Sequence, residues 1–455
     1  MTKFRIFLAC LACRAAKILS RVTGHGGTAM PGKVALKLCP DILGYAAKGV
    51  KTVIVTGTNG KTTACKMLSQ MCAAQGVSYF SNVSGANLKS GLTAEFLAHA
   101  TVFGKAKYDY AVIECDEGAL HTVTAELAPA AIAVTNIFRD QLDRFGEVTQ
   151  TAQYIRQGIQ NAPGAVACLN ADCMLTVSAG AGLSNQTLYY GIDVPLTGQT
   201  RTVSDVPRCL NCGGQYRYRY QTYAHLGAYY CPDCGMERPE AQVAVTEILE
   251  LSDSRSRARM RLGDRVYDVT IAIPAIYNVY NAAAALTAAQ VLGFDADKCI
   301  AALSEVSAGF GRLETLRVGE VETKIVLVKN PVGLSRALDY LCTIQTPYLA
   351  VFCLNDKVND GTDISWIWDA DFDVLAEAYQ GDELVVYGTR AEDMKLRLKY
   401  AGFDEDRITL AATMDQLVER IEGSEVPVCV LPNYTAMLEV RERLAAISGE
   451  HKFWE

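Results

Sequence analysis

Short apolar runs alternate with amphipathic stretches along most of the chain. The runs cover residues 50–55, 110–114, 130–135, 324–328, 349–354 and 384–387, and their length and apolar content are typical of buried strands. Helices are predicted between them, including 278–292 and 435–447. This alternation predicts the α/β class, with a mostly parallel sheet covered by helices on both faces.

The first 22 residues show the pattern of one amphipathic helix. One face carries Phe4, Phe7, Leu8, Leu11, Ala15, Ile18, Leu19 and Val22, and Lys3, Arg14, Lys17 and Arg21 lie along its flank. These basic residues interrupt the apolar run too often for a membrane span, and no signal-peptide cleavage site follows. The helix either packs on its own domain, which we favour, or lies on a membrane surface. We expect a cytoplasmic protein with mostly reduced thiols.

Residues 205–240 interrupt the α/β pattern. They contain two pairs of cysteines, two adjacent glycines and six tyrosines between residues 216 and 230. We therefore expect an insertion here. The predicted organisation is an N-terminal segment 1–49, a central domain 50–312 that carries this insertion, and a C-terminal domain 313–455.

Composition adds few constraints. The 455 residues suffice for roughly three domains of ~150 residues each. Half of the residues are hydrophobic and 20% are charged, which excludes a disordered or fibrous chain. The formal net charge of −7 argues against a surface devoted to nucleic acid.

A phosphate-binding loop is the strongest functional signal. The sequence Thr-Gly-Thr-Asn-Gly-Lys-Thr-Thr at 56–63 joins a predicted strand to a predicted helix, and backbone N–H groups of such a turn bind phosphate oxygens. We expect Lys61 to neutralise the β- and γ-phosphates of a nucleotide and Thr62 to ligate Mg²⁺. The full set expected to hold the nucleotide in this loop is Gly57, Thr58, Asn59, Gly60, Lys61, Thr62 and Thr63.

The inserted cysteines have the spacing of a zinc ribbon. Two Cys-x-x-Cys pairs, separated by 18 residues, consist of Cys209, Cys212, Cys231 and Cys234. Four thiolates complete the tetrahedron that Zn²⁺ prefers and leave no position for water, so we predict a structural site rather than a catalytic one. The other twelve cysteines are expected to be small buried hydrophobes.

Several motifs resemble those of the Mur ligases and folylpolyglutamate synthases. The loop is two residues shorter between its glycines than the common Walker A pattern, and similar landmarks follow at 136–143, 169–172, 277–283 and 311–314. The resemblance implies a Mur ligase-like central ATPase domain with an inserted zinc ribbon, followed by a Rossmann-like α/β domain. It also implies ATP-dependent conversion of a carboxylate to an acyl phosphate, which an amine then attacks. Asn281, on the adenine-side helix, and Arg312, at the domain hinge, are implied nucleotide contacts.

Within this group the chain is similar to the MurT family, the ligase subunits of lipid II isoglutaminyl synthase. The similarity rests on the four-cysteine insertion and on the segments 81–87 and 355–369. It implies a carbon–nitrogen ligase that amidates the D-glutamate α-carboxyl of the lipid II stem peptide, giving D-isoglutamine. Ammonia would come from a GatD-like class I glutamine amidotransferase subunit in a heterodimer. The enzyme would act at the inner face of the cytoplasmic membrane.

The family pattern also implies metal ligands, with two departures. Glu114, at a strand end, is an implied Mg²⁺ ligand beside Thr62. Asp116 and Glu117 are nearby alternative ligands. Gln141 stands where the family has the His that ligates a second metal. Arg156 stands near the position of a carbamylated Lys in many Mur ligases; because arginine cannot form that carbamate, we expect another source of charge neutralisation, with Arg156 as one candidate.

An acidic segment is the implied contact with the glutaminase. The resemblance implies that one of Asp356, Asp360 and Asp363 completes the partner's Cys–His triad and orients its His. Spacing does not choose among them, although Asp360 or Asp363 is favoured over Asp356. The alternative is a Ca²⁺-like loop or a set of solvated acids, but the ligand order of an EF-hand is not met.

Two other functions fit parts of the pattern. An amino-acid-adding Mur ligase or folylpolyglutamate synthase would share the fold, but the segment 329–333 lacks the His of a basic amino-acid site. A nucleic-acid-binding ATPase could use Arg217 and Arg219 between the tyrosines of 216–220. In a strand, however, this alternation only puts tyrosines on one face and arginines on the other, so no nucleic-acid partner is expected.

Overall fold

The computed structural model describes residues 3–22, 29–82, 86–139, 148–196, 205–252, 254–306, 312–357 and 360–449. The chain forms two compact units. The first comprises Met1–Phe138 and Val148–Ser307, and the second comprises Arg139–Glu147 and Ala308–Glu455.

Strands of the first unit form a mixed sheet and a separate hairpin. They are β1 (Lys51–Thr56), β2 (Tyr79–Ser81), β3 (Tyr110–Glu114), β4 (Ala131–Val134), β5 (Val166–Asn170), β6 (Thr187–Ile192), β7 (Arg217–Tyr223), β8 (Leu226–Tyr230), β9 (Val243–Leu251), β10 (Ser256–Leu262) and β11 (Arg265–Ile271). The order in the sheet is β11-β10-β9-β6-β5-β4-β1-β3-β2. Pairing is parallel from β2 to β9, whereas β10 and β11 add antiparallel strands at one edge.

Helices flank this sheet in the sequence order that parallel strands require. They are α1 (Lys3–Val22), α2 (Met30–Leu38), α3 (Ile42–Ala46), α4 (Lys61–Gln75), α5 (Lys89–Ala98), α6 (Glu117–Thr124), α7 (Val148–Gln160), α8 (Met174–Gly180), α9 (Ile276–Leu292) and α10 (Ala296–Leu303). Helix α9 is rich in alanine and almost wholly buried, and it packs against α4 and the centre of the sheet.

The N-terminal helix packs on its own unit, but not through the apolar face that its sequence emphasises. Helix α1 contacts α2 and α5. Its covered face carries Ile6, Ala9, Cys10 and Cys13, which are all buried. Among the helices described, none has the length and apolarity that crossing a bilayer requires.

The β7–β8 hairpin shows the alternation expected from its sequence. Arg217 and Arg219 are exposed, whereas Tyr218 and Tyr220 are half-buried. The Tyr220 hydroxyl donates to the carbonyl of Ile192, at the end of β6, over 2.7 Å. The tyrosine face therefore attaches the hairpin to the main sheet of the same unit.

A buried carboxylate connects the hairpin region to the core. Asp172, fully buried after β5, accepts hydrogen bonds from the Ile192 amide at 2.9 Å, from the Arg238 guanidinium and from the Tyr280 hydroxyl of α9. Tyr280 also shares a 2.6 Å hydrogen bond with Thr222 of β7. Burial raises the pKa of Asp172, and the opposing charge of Arg238 counteracts this shift.

The second unit is a smaller α/β layer structure. Its elements are β12 (Arg312–Val318), β13 (Val321–Val326), α11 (Pro331–Cys342), β14 (Leu349–Cys353), a 3₁₀ turn (Ser365–Asp369), α12 (Phe372–Ala378), β15 (Leu384–Tyr387), α13 (Ala391–Tyr400), a 3₁₀ turn (Glu405–Arg407), β16 (Ile408–Leu410), α14 (Met414–Glu422), β17 (Val428–Pro432) and α15 (Tyr434–Ser448). The strand order is β12-β13-β17-β14-β15-β16, parallel except for the β12–β13 hairpin.

Both faces of this second sheet are covered. Along β14, Ala350 and Phe352 belong to one hydrophobic cluster, and Val351 and Cys353 belong to another. Because alternate residues of a strand point to opposite faces, each face packs against its own layer of helices. This explains why the sequence of β14 is continuously apolar instead of alternating.

We expect the Asp172 network to hold the hairpin region onto the core. Tyr280→Phe should destabilise the first unit by about 1–3 kcal/mol, because it removes a donor from a buried carboxylate. Arg238→Met should cost about 3–5 kcal/mol, because it leaves that charge unpaired. Denaturant unfolding followed by circular dichroism measures both effects.

The matched control for this network is Arg219→Met. Arg219 pairs with Glu237 at 2.9 Å on the surface of the same hairpin, so its loss should cost no more than about 1 kcal/mol. Equal effects of Arg238→Met and Arg219→Met would contradict a structural role for the buried network.

Candidate functional site

The loop between β1 and α4 has a conformation that only its glycines allow. Gly57 and Gly60 have φ values of +119° and +88°. A Cβ on Gly60 would lie 2.0 Å from Oδ1 of Asn281, and one on Gly57 would lie 2.4 Å from Oγ1 of Thr135. Both glycines are therefore required for steric reasons as well as for their positive φ.

The segment after β4 holds this loop in place. The Thr58 amide donates to the Asn136 carbonyl and the Asn59 amide to the Asn136 side chain, both at 2.9 Å. Asn136 donates in return to the Asn59 carbonyl, and so does the Thr135 hydroxyl at 2.7 Å. The loop is thus fixed at the carboxyl ends of β1 and β4, the edge where open α/β sheets bind ligands.

Lys61, at the start of α4, forms a buried ion pair. Its Nζ donates to both carboxylate oxygens of Glu117 at 3.2 Å and to the Gly57 carbonyl at 2.6 Å. The Lys61 and Glu117 side chains are only 10% and 7% exposed. The ammonium is therefore directed back over the loop, where a phosphate would need a positive charge.

An oxygen pair suited to a hard cation lies beside this lysine. The Thr62 hydroxyl donates to Oε2 of Glu114, at the end of β3, over 2.6 Å. Asn82 fixes Glu114 by accepting from its amide at 2.8 Å and donating to its carbonyl at 2.9 Å. A hydroxyl and a carboxylate at a phosphate loop are ligands that Mg²⁺ uses, so these residues fit that ion.

Helix α9 approaches the loop with an amide pair. Asn281 donates to Asn278 at 3.1 Å, and Asn278 donates to the Pro274 carbonyl at 2.6 Å. The helix is preceded by Ala275 with φ +82°, a strained conformation for a residue with a Cβ. Asn281 thus approaches Gly60 from a helix that has an irregular start.

The four cysteines of the insertion converge on one point. All four Sγ atoms lie within 4.8 Å of one another; the Cys209–Cys234 and Cys212–Cys231 separations are 3.6 and 3.5 Å. A tetrahedron of thiolates around Zn²⁺ has edges of about 3.8 Å, since Zn–S bonds are about 2.3 Å long. The cysteine geometry therefore fits that ion.

Two matching turns place these thiols. Each Cys-x-x-Cys turn is followed by a glycine, Gly213 or Gly235, with φ +78° or +74°. Their amides donate to the carbonyls of Cys209 and Cys231 at 2.8 and 3.0 Å. The Asn211 amide also points at Sγ of Cys209 over 3.4 Å. This repeated turn is what the sequence spacing predicted.

In the second unit, the three candidate acids differ in exposure. Asp360 is buried and accepts from the Thr435 amide at 2.7 Å and from its hydroxyl, at the start of α15. Asp356 is half-buried and accepts from Thr389 and Arg390. Asp363 is exposed, and among the contacts described it accepts hydrogen bonds only from the neighbouring Ser365, whose amide lies 2.8 Å away.

The pKa shifts of these acids follow their surroundings. Burial raises the pKa of Asp360, although the Thr435 donors oppose this. Hydrogen bonds from Ser365 lower the pKa of Asp363, and those from Thr389 and Arg390 lower the pKa of Asp356. At neutral pH, Asp363 is therefore an ionised and accessible carboxylate.

Comparison with known proteins identifies the family. The MurT ligase C-terminal model matches residues 327–437, and the Mur ligase middle domain model matches residues 55–204. The lipid II isoglutaminyl synthase (glutamine-hydrolyzing) subunit MurT of Streptococcus pneumoniae (strain ATCC BAA-255 / R6) is 36% identical over 434 residues, which cover 94% of each chain. The chain belongs to the MurT family. The MurT subunit of Staphylococcus aureus (strain COL) is 33% identical, over 96% of this chain and 97% of that protein.

Solved structures share the Mur ligase fold with this MurT family member. A pseudomurein peptide ligase type C from Methanothermus fervidus superposes with a TM-score of 0.67 at 22% identity, covering 90% of this chain and 80% of that chain. Folylpolyglutamate synthase from Mycobacterium tuberculosis gives 0.62 at 15% identity, covering 90% and 94%. These similarities establish the fold alone, in agreement with the expected Mur ligase-like α/β class.

The structure brings most of the expected nucleotide residues together. Residues 57–63, Glu114 and Asn281 surround the same loop of the first unit. Arg312 begins β12 in the second unit, and its side chain lies outside the described part of the chain, as does Gln141. The roles of these residues stay predictions.

Arg156 is used differently from the candidate role in charge neutralisation. Its Nη1 atom donates to the Ala181 carbonyl at 2.6 Å and approaches those of Ser178 and Ala179, at the end of α8. The guanidinium therefore stabilises the negative end of a helix. Among the residues that the structure describes, Lys61 is a buried cation beside the phosphate loop, and the candidate role of Arg156 stays a prediction.

Sequence reasoning missed a buried Cys–His contact in this MurT family chain. Sγ of Cys173 lies 3.5 Å from Nε2 of His225, and both side chains are fully buried, with the Phe138 ring 4.7 Å from the imidazole. The two residues are 52 positions apart, so no local pattern could reveal the pair. Full burial makes His225 a packing residue.

His225 should make folding pH-dependent. Burial lowers the pKa of His225 to about 3, whereas an unfolded His titrates near 6.5, and the Asp205 carboxylate stays 3.9 Å from Nδ1. Below pH 6.5 the unfolded chain therefore binds a proton that the folded chain does not. Stability should fall as pH decreases from 6.5 towards 3, by up to about 1.4 kcal/mol per pH unit from this residue.

The measurement is denaturant unfolding of wild type and His225→Phe between pH 7.5 and 4. The carboxylates contribute equally to the pH dependence of both proteins. The difference between the two slopes of unfolding free energy against pH therefore isolates the contribution of the imidazole. Wild type should lose stability more steeply below pH 6.5. Parallel curves for the two proteins would contradict a neutral buried His225.

Proposed function

We propose that this chain is the ATP-dependent ligase subunit of a lipid II isoglutaminyl synthase. Its reaction is amidation of the D-glutamate α-carboxyl in the lipid II stem peptide. The observation that carries the proposal is the phosphate loop with Lys61, Thr62 and Glu114 in a chain whose MurT relatives match it over nearly its full length.

The first half of the proposed reaction is phosphoryl transfer. The carboxylate attacks the γ-phosphorus of ATP, and the bond from this phosphorus to the β,γ-bridging oxygen breaks. The products are ADP and an acyl phosphate. Lys61 supplies fixed positive charge to the phosphoryl oxygens from a largely buried position, where such charge acts more strongly than in water. Thr62 and Glu114 would hold Mg²⁺, which would supply further charge neutralisation at the phosphates.

The Lys61–Glu117 pair gives the loop a defined state before nucleotide binds. Glu117 holds the ammonium over the loop, at a distance from which it can be shared with an incoming phosphate. Glu117 is therefore proposed as a positioning residue for Lys61 instead of a reserve metal ligand.

The second half of the reaction is attack by ammonia. The nitrogen adds to the acyl carbon, inorganic phosphate leaves, and a proton is lost to give the amide. Ammonia requires no pocket for an amino acid, which agrees with the absence of His from residues 329–333. We propose that a GatD-like glutaminase subunit supplies it in a heterodimer, and that nucleic acid is not a partner.

Asp363 is the proposed contact with the glutaminase triad. An acid that orients the partner's His must reach beyond its own surface and must be ionised. Asp363 is exposed, whereas Asp360 is buried against Thr435 and Asp356 is engaged by Arg390. Asp363 therefore needs no rearrangement of its own fold to meet a partner.

The experiment compares two nitrogen sources with purified chain, alone and with its glutaminase subunit. Lipid II and ATP are supplied with ammonium chloride or with glutamine, and amidated product is measured by mass spectrometry. Lys61→Met should reduce both reactions at least about 100-fold, because it removes charge stabilisation in the transition state. Asp363→Asn should abolish only the reaction with glutamine.

Matched variants make the assignment specific. Asp356→Asn should keep most of the glutamine-dependent rate, and Asp369→Asn tests another exposed acid of the same segment. Loss of the ammonium reaction in Asp363→Asn would place this residue in the ligase step instead. Addition of glutamate in place of ammonia would overturn the proposed function.

We also propose that the four-cysteine cluster holds one structural Zn²⁺. The chain should contain about one zinc per molecule by atomic emission, and Cys212→Ser should lose it because a structural site needs all four thiolates. Cys342→Ser, at a half-buried cysteine outside the cluster, is the control. Wild-type protein that stays free of zinc after incubation with the metal, with an unchanged melting temperature, would refute the site.

A further inference from the structure

The N-terminal helix α1 presents an apolar face outward. Phe4, Leu11 and Ile18 are 69%, 50% and 65% exposed, and Leu8 is 37% exposed. We call these four residues the outer stripe. At 100° per residue they lie within about 40° of one line along the helix, opposite the covered face that carries Cys10 and Cys13. The helix is thus apolar on two opposite sides, of which only one packs on the protein.

The loop after α5 extends this surface. Phe103 is 62% exposed, and its ring lies 5.9 Å from that of Phe7, on the edge of α1. Arg14 fastens the helix to the same region by donating to the Ala100 carbonyl at 2.7 Å. The patch therefore belongs to two fixed elements of one unit. Contiguous apolar patches of this kind are uncommon on proteins that contact only water.

The charge around the outer stripe is opposite to that of the rest of the chain. Residues 1–40 contain seven Lys or Arg and no Asp or Glu, whereas the other 415 residues carry a formal charge of −14. Lys3 and Arg5 on α1 and Lys33 and Lys37 on α2 are exposed. The charge of Lys17 is partly neutralised, since its Nζ pairs with Glu95 at 3.6 Å. The apolar stripe thus lies in a strongly basic region.

We propose that the outer stripe docks on an anionic lipid bilayer. An amphipathic helix that lies in a membrane interface combines an exposed apolar face with flanking Lys and Arg, which attract acidic headgroups. A second copy of this chain is a poorer occupant, because it would bring the same basic region against itself. Charge complementarity therefore favours lipid over self-association.

This inference goes beyond the proposed function, because binding to a bilayer can be measured without turnover. It concerns where the first unit is held, not what its phosphate loop does. Docking would confine the enzyme to the surface that carries a lipid-linked substrate and so raise the encounter rate. Failure of docking would leave the ligase chemistry intact on substrate dispersed in detergent.

The test is cosedimentation of the full chain, with and without its glutaminase subunit, with sucrose-loaded vesicles. One set contains equal parts of phosphatidylglycerol and phosphatidylcholine, and the other contains phosphatidylcholine alone. Wild type should bind the anionic vesicles, and binding should weaken as salt increases. Leu11→Glu/Ile18→Glu should reduce partitioning at least about tenfold, because it places two charges in the apolar contact.

Charge variants provide a second readout that spares the apolar face. Lys3→Gln/Arg5→Gln should lower binding to anionic vesicles about tenfold, by the loss of two headgroup attractions. The matched controls are Leu251→Glu/Val266→Glu, at 43% and 56% exposed positions of β9 and β11, and Arg217→Gln/Lys298→Gln. Both controls should bind like wild type.

Three outcomes would overturn the proposal. One is absence of wild-type binding to anionic vesicles at low salt. Another is equal loss of binding in the α1 variants and their controls. The third is that Leu11→Glu/Ile18→Glu leaves vesicle binding unchanged but disrupts a protein complex. That complex would be a dimer that dissociates in light scattering, or the complex with the glutaminase subunit, which would separate on gel filtration. The outer stripe would then be a protein interface.

Discussion

The nucleotide site depends on one steric constraint, the close packing of a loop that has no room for side chains. Gly57 is enclosed by Thr135 and Asn136, and Gly60 by Asn281, so three segments distant in sequence must meet within a few ångströms. The hydrogen bonds between Asn59 and Asn136 use the polar groups on the inner side of the loop. Lys61 and Thr62 are consequently fixed by backbone geometry, before any ligand contributes.

The insertion is integrated by a buried charged network in addition to aromatic packing, in which Tyr223 contacts Phe138 and Tyr280. Asp172 has no solvent exposure, and its charge is acceptable only because Arg238, Tyr280 and a backbone amide all donate to it. Tyr280 lies on α9, the helix that also carries Asn281 to the phosphate loop. The cysteine insertion and the nucleotide loop therefore share one buried helix, which explains why an added hairpin behaves as part of the same unit.

The sequence predicted those features of the fold that a few neighbouring residues determine. The strands at 110–114 and 384–387 agree with the structure to the residue, because each is a short apolar run between polar ends. The phosphate loop and the cysteine turns were recognisable because glycine and cysteine spacing is set within a few residues. The Lys61–Glu117 and Cys173–His225 pairs were not, since 56 and 52 residues separate their members. Periodicity also identified the outer stripe of α1 but could not tell which of two apolar faces the protein covers, because that depends on α2 and α5.

Exposure separates the acids that maintain the fold from the one that we propose contacts another molecule. Asp360 caps the start of α15 through Thr435, so removing its charge would disturb the second unit itself. Asp356 has its charge neutralised by Arg390. Asp363 accepts a hydrogen bond only from the turn that contains it, among the contacts described, and its side chain is exposed to solvent. Transferring a hydrated carboxylate to a neighbouring imidazolium costs less than breaking a buried capping interaction first. Spacing does not distinguish the three acids, whereas burial and neighbouring donors make them different in chemistry.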